Sequence, residues 1–360
     1  MSYKVRHYQY KNRIGNLKAE AVGVVSGEKH FPIFPGDMIF KPLTKSKPFS
    51  TPLYAYAEVF WSTIINEYFM PAPRYELAIC EGYEAVNEKY LDYGTAVPMA
   101  YKEGESLLNL LEFFRKYPDE KVDIDNYVNY CQMFYDYRDI FEADFLQEHQ
   151  EMAEQLAMQI LISVLKGDQN YHYENVAFLC DKDGGIISLA PMIDHEFSTY
   201  FMFPDDISRH VYWLMELSKS IRGWEVRPGE YDNFKDPEER KLMEKSATCI
   251  HKNLLYIKEH YPQTTEEFLD KAEKLKTALT EASEDFLIQG NTEYLDCADS
   301  SAWLIGKARY KDKDEEKASA YEVELCGKGK KLDFRDVSIS AINEIKAVIS
   351  QMEEVLRKRE

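Results

Sequence analysis

The sequence predicts an α+β chain, β-rich toward its N-terminal end and mainly helical beyond about residue 100, with a length that suits two lobes or domains. Three observations lead there. The first 40 residues are rich in Tyr, Val and Gly, and the turn signals Gly15-Asn16 and Ser26-Gly27 break them into short runs. Beyond residue 100, apolar side chains recur at helical spacing over long stretches. The length, with 45% hydrophobic residues, is enough for a large core, and no repeat or low-complexity linker interrupts it.

In chain order, strands are expected at 4–10, 19–25 and 38–41. Gly23 and Gly27 would let this meander approach phosphates closely with its backbone, although hairpin turns are the commoner use of such glycines. Lys41 ends an apolar strand, where a lysine can turn inward as a point charge against phosphate oxygens. A helix is expected over 53–69, with Tyr54, Ala57, Trp61, Ile64 and Ile65 on its buried side. Glu58 falls on the inner face, in position to pair with Lys41; Glu67 is the competing partner, and a solvated lysine with a surface glutamate is the bland alternative. Pro71-Ala72-Pro73 stops the helix, strands follow at 74–80 and 93–100, and 101–114 opens the first helix of the larger part.

Residues 122–146 are expected to be helical, followed by a helix over 152–165 with two apolar rows, too many for a surface stripe. That helix runs into a polar stretch from Gly167 to Asn175. Two short strands, 176–179 and 186–189, join at Asp183-Gly184-Gly185, the second reaching Asp194. Further on, helices are expected over 207–221, over 237–260 behind an Asp236-Pro237 cap, from a Thr264/Glu267 capping box to about 286, and over 339–357. Residues 311–317 suit an exposed charged loop and 319–325 a strand.

The formal charge of −19 excludes nucleic-acid binding by bulk attraction. No apolar run is long enough for a membrane span. The six cysteines are far apart, form no CxxC pair and accompany no signal peptide, so free thiols in a cytoplasmic, reducing compartment are expected.

The segments GDQNYHYENVAF and LAPMIDHE resemble the catalytic and metal-binding segments of HipA-type serine/threonine kinases. In that family a Gly-Asn-x-Asp-x-His-x-x-Asn loop precedes a hairpin ending in Ala-Pro-x-x-Asp. The resemblance covers roughly residues 20–200 and implies a two-lobed protein-kinase-like fold, with lobes at 1–96 and 97–360. It implies an ATP- and Mg²⁺-dependent transferase acting on a protein substrate, in a family often paired with an antitoxin-type protein. On it, Lys41 holds phosphates, Glu58 orients Lys41, backbone around 97–101 contacts adenine, and Asn175 and Asp194 bind Mg²⁺. His172 aligns with the family's histidine.

The loop departs from the family in one place. Asn170 stands where the family has its catalytic Asp, and an aspartate appears two residues earlier, at Asp168. On an active reading Asp168 orients or deprotonates the acceptor hydroxyl; on the alternative the chain is an impaired pseudokinase that binds nucleotide or protein. A third reading, a metal-dependent hydrolase built on His172 and His195, lacks HExxH or clustered Cys/His spacing.

Overall fold

The computed structural model describes residues 3, 5–9, 33–34, 38–44, 52–81, 90–98, 102, 104–122, 135–168, 171–195, 198–201, 207–224, 237–296 and 334–358. Within them the chain is α+β, with a sheet at the N-terminal end and helices dominating the rest. Strands β1 (Val5–Gln9), β2 (Ile33–Phe34), β3 (Met38–Thr44), β4 (Glu76–Glu81) and β5 (Tyr90–Pro98) form one sheet in the order β1-β4-β5-β3-β2. Only β1 and β4 run parallel. The expected strand at 19–25, the cap residue Asp236, the 311–317 loop and the 319–325 strand lie outside the described residues.

Alternation along β3 decides what each face receives. Met38 and Phe40 pack with Ala78, Cys80 and Ala96 on one side, while Ile39 and Leu43 enter the main core on the other. Lys41 shares the parity of Ile39 and Leu43, so it points toward the main core. There α1 (Pro52–Ile64) lies against the sheet, with every residue from Leu53 to Ser62 buried. A π-turn, Ile65–Phe69, continues α1 and closes with Met70 N donating to Ile65 O at 2.9 Å, before Pro71.

The helical part carries a second sheet, in which the expected hairpin gains a third strand that the sequence reading took for helix. Strand β6 (Ser106–Asn109) pairs antiparallel with β7 (Ala177–Cys180), which pairs with β8 (Ile186–Leu189). The helix expected from residue 101 therefore begins only at α2 (Leu110–Lys116). Asn109 sets the switch: its side chain accepts from Glu112 N at 2.8 Å as an N-cap, leaving Ser106–Leu108 free to take the open edge of the hairpin. The second hairpin strand ends at Leu189, not Asp194; residues 190–195 carry no regular secondary structure.

Two short helices, α3 (Arg138–Glu142) and α4 (Asp144–Glu148), lead into α5 (Gln150–Lys166), whose residues from Leu156 to Lys166 are all buried. α6 (Ile207–Arg222) packs on α7 (Pro237–His260) and α9 (Phe334–Arg357), and α7, α8 (Pro262–Glu281) and α9 pack against α5. The Thr264 capping box does not form. Pro262 starts α8 earlier, so Thr264 lies inside the helix, and Tyr261 caps it with no side-chain bond. The helix stops at Glu281, and a short 3₁₀ turn covers Ser283–Phe286. Residues 287–296 then reach back: Asn291 N donates to Tyr56 Oη at 2.8 Å and Tyr294 Oη to Gly94 O at 3.0 Å, fastening α1 and β5 to the helical part.

Candidate functional site

The site forms where β3, α1 and the segment after β8 meet. Lys41 Nζ is hydrogen-bonded and ion-paired to Glu58 Oε1 and to Asp194 Oδ1, joining three elements far apart in sequence. The Glu58 side chain is 2% exposed, whereas those of Lys41 and Asp194 are 20% and 21% exposed. One carboxylate is thus internal, and the lysine and the other carboxylate face outward. Glu67, the competing partner, lies in the π-turn and meets Arg74 at 3.3 Å on the surface instead.

Two backbone features place Lys41 and Asp194. Gly94 crosses β3 at Pro42, and a Cβ there would be driven into the Lys41 carbonyl, so only glycine lets β5 lie this close. Asp194 has φ of 62°, and it is the only non-glycine with positive φ among the described residues. Aspartate tolerates this region better than most residues, but the conformation is held by its surroundings. Asp194 N donates to Tyr75 Oη at 3.1 Å, and burial beside Glu58 pushes the Tyr75 hydroxyl well above its ordinary pKa.

The hairpin brings the expected metal ligands to one end. Ala190 N donates to Ala177 O at 2.7 Å, so Asn175, just before β7, and Asp194, a few residues past Ala190, leave the same end of the ladder. Asn175 is buried, and its N–H donates to His172 O at 2.8 Å. One carboxylate and one amide are hard oxygen donors, a set suited to Mg²⁺ that keeps waters or phosphate oxygens for its remaining positions. The outward carboxylate of Asp194 and its held conformation fit that ion.

Behind these residues lies a buried cluster around Lys166, which the sequence reading did not single out. α5 ends at Gly167, with φ of 59°, and a Cβ there would stand 3.0 Å from both Leu217 and Thr199 side chains. Lys166, fully buried, bonds Asp168 Oδ2 at 2.6 Å, His195 Nδ1 at 3.2 Å and, at 3.5 Å, the Asp194 carbonyl. An ammonium only donates, so Nδ1 of His195 is the acceptor and its proton lies on Nε2. Burial, then the adjacent Lys166 charge, hold the His195 pKa well below the ordinary range. Ser198 Oγ donates to Lys166 O and accepts from Trp61 Nε1, both at 2.9 Å, linking the cluster to the helix that carries Glu58.

A further network anchors the loop. Tyr171 Oη donates to Gln159 Oε1 and Gln159 Nε2 to Ala190 O, both at 2.8 Å, while Tyr137 Oη donates to Tyr171 O at 2.9 Å. His172 is half-buried and accepts from Glu174 N at 3.2 Å through Nδ1. Of the expected residues, the structure brings Lys41, Glu58 and Asp194 into direct contact, with Asp168 behind them and Asn175 at the shared hairpin end. Gly23, Gly27, Asn170 and the backbone at 99–101 lie outside the described residues. His172 and His195 join no group of three or more metal-ligating side chains among the described residues, and Nδ1 of His195 is engaged by Lys166. Lys166 did leave a sequence signal: a cation between Leu165 and Gly167, in a helix buried on all sides, needs a partner, and Asp168 stands two residues on.

No family model matches the chain, and no curated protein matches it. Among solved structures, it resembles that of a Helicobacter pylori proinflammatory kinase, CtkA, at 12% identity and a TM-score of 0.41, covering 89% of this chain and 99% of that one. That similarity is too low to carry either fold or function.

Proposed function

We propose that the chain is a kinase-like phosphotransferase that uses ATP and Mg²⁺ to phosphorylate a Ser or Thr of a protein substrate. The observation that supports this reading is the meeting of Lys41 with Glu58 and Asp194. A buried glutamate that fixes a lysine leaves its charge directed at one point. An adjacent outward carboxylate gives a cation the place to bridge phosphate oxygens. In this reading the β-rich part at 1–96 holds the phosphates and the helical part carries the loop and hairpin. Asn175 and Asp194 hold Mg²⁺, which neutralises phosphate charge when bound. Lys41 fixes the phosphates, and Glu58 fixes Lys41. Transfer then depends on positioning and charge, since the reaction asks little covalent chemistry of the protein.

A second reading has its own supporting observation. The Asp168 side chain is 1% exposed and bound to Lys166, a setting that serves the loop's shape better than an acceptor hydroxyl. It favours an impaired form that binds nucleotide without transferring phosphate. The HipA-type specificity, an antitoxin-type partner and a cytoplasmic location belong to the proposal; no helix among the described residues is long and apolar enough to cross a membrane. Incubation with labelled ATP and Mg²⁺ separates the two readings. In the active form the wild type labels itself or an added protein, and Asp168→Ala lowers transfer by orders of magnitude. In the impaired form the wild type transfers nothing, Asp168→Ala is silent, and Asn170→Asp supplies the missing carboxylate. Absence of any ATP binding by folded wild type removes both.

A further inference from the structure

The fully buried Lys166 is not needed to hold a nucleotide, yet its three donors meet three acceptors on two separate segments. Asp168 belongs to the loop after α5. The Asp194 carbonyl and the His195 ring belong to the run after β8. We propose that Lys166 is a positioning residue for Asp194: anchored by Asp168, it holds the 194–195 backbone so that the Asp194 carboxylate stays beside Lys41, ready for a divalent cation.

The conformation of Asp194 is what calls for such a holder. Its φ of 62° is uncommon for a residue with a Cβ, and local sequence does not impose it, since neither neighbour is Gly or Pro. It persists where the surroundings fix both sides of the residue. Tyr75 Oη takes the Asp194 N–H on one side, and Lys166 takes the Asp194 carbonyl and the next residue's ring on the other. Asp168 supplies the counter-charge that lets an ammonium remain at zero exposure. The same contacts link loop and metal segment, so the α5 terminus sets the geometry of both.

This inference rests on the nucleotide reading, and the experiment separates the two. Lys166→Met alone strands a buried carboxylate, so the informative variant is Lys166→Met with Asp168→Asn, which removes both charges with little change in shape. ATP is titrated calorimetrically into wild type and the double variant, with Mg²⁺ and with EDTA. The expected result is a folded double variant whose affinity in EDTA matches wild type, because Lys41 and Glu58 are untouched. Its tightening by Mg²⁺ is reduced by about 10–100-fold, the usual loss when an outer partner of a metal ligand is removed. Unchanged Mg²⁺ tightening in the double variant overturns the positioning role and leaves the nucleotide reading standing. No ATP binding by wild type overturns both. A second measurement needs no variant: in the nitrogen NMR spectrum of wild type, Nδ1 of His195 is expected as the bare nitrogen that accepts from Lys166. A proton on Nδ1 would show that Lys166 does not hold the ring, and the proposal falls.

Discussion

Two lysines stand on either side of Asp194 and teach different lessons about what a buried charge is for. Lys41 comes from a strand, is 20% exposed, and touches the Asp194 carboxylate with one buried glutamate behind it. Lys166 comes from a helix end, has no exposure, and touches the Asp194 backbone with one buried aspartate behind it. Both are cation–carboxylate pairs with a second acceptor, yet only Lys41 keeps a face toward solvent and hence toward a ligand. Exposure, more than partner chemistry, separates a lysine that can serve a phosphate from one that serves the fold.

The largest expected effect breaks the comparison on the buried side. Lys166→Met takes the cation from a carboxylate at 1% exposure, for which about 3–5 kcal/mol of stability is the ordinary loss. Adding Asp168→Asn should recover most of it, because removing both members of a buried pair is often close to neutral. Urea unfolding of the three proteins checks this. A double variant no more stable than the single one would mean that Lys166 acts in the fold through something other than the pair.

The outer lysine should show the reverse pattern. On the proposed function, at ATP a hundredfold above its Kd with Mg²⁺ present, wild type should gain about 2.7 kcal/mol by mass action. Lys41→Met should lose that gain, and Asp194→Ala should lose only the part that needs Mg²⁺. Thermal unfolding with and without ATP and Mg²⁺ reads the difference. Ligand stabilisation that survives Lys41→Met would place the phosphates elsewhere.

The sequence made the outer lysine legible and the inner one almost invisible, for a physical reason. Lys41 lies in a period-2 strand and Glu58 in a periodic helix, so each side chain's direction could be read from its neighbours. Asp194 was found through its resemblance to a motif, but not its backbone conformation, because positive φ at a non-glycine is imposed by tertiary contacts. Lys166 closes a helix so apolar that periodicity could not assign it a face. The β6 strand was misread as helix because Ser106–Asn109 forms it only by pairing with residues some seventy positions away. Long-range pairing of that kind leaves little local trace.

A smaller effect compares the two residues with left-handed backbone beside the site. Gly167 holds φ of 59° with a Cβ position 3.0 Å from the Leu217 and Thr199 side chains, whereas Asp194 holds φ of 62° and carries the carboxylate that meets Lys41. Gly167→Ala should cost about 1–2 kcal/mol from backbone strain alone, with the contacts to Leu217 and Thr199 adding to it. Chemical denaturation measures the loss. A neutral substitution would mean that the end of α5 can relax, and Lys166 with it.

The smallest expected effect tests whether the glutamate assignment is right. Glu58 and Glu67 were both candidates for Lys41, and the structure gives Lys41 to Glu58 while Glu67 meets Arg74 with side chains 44% and 56% exposed. A pair so open to water and salt contributes at most about 1 kcal/mol. Glu67→Ala should therefore leave both stability and ATP affinity nearly as in wild type. Glu58→Gln removes the charge that orients Lys41 while keeping the side chain's shape, so it should weaken ATP binding clearly. The discriminating quantity is the ratio of the two ATP affinities. If Glu67→Ala weakened binding as much as Glu58→Gln, helix α1 would have to turn in solution to offer Glu67 to Lys41. The inner carboxylate would then no longer be the feature that distinguishes the solvent-facing lysine from the buried one.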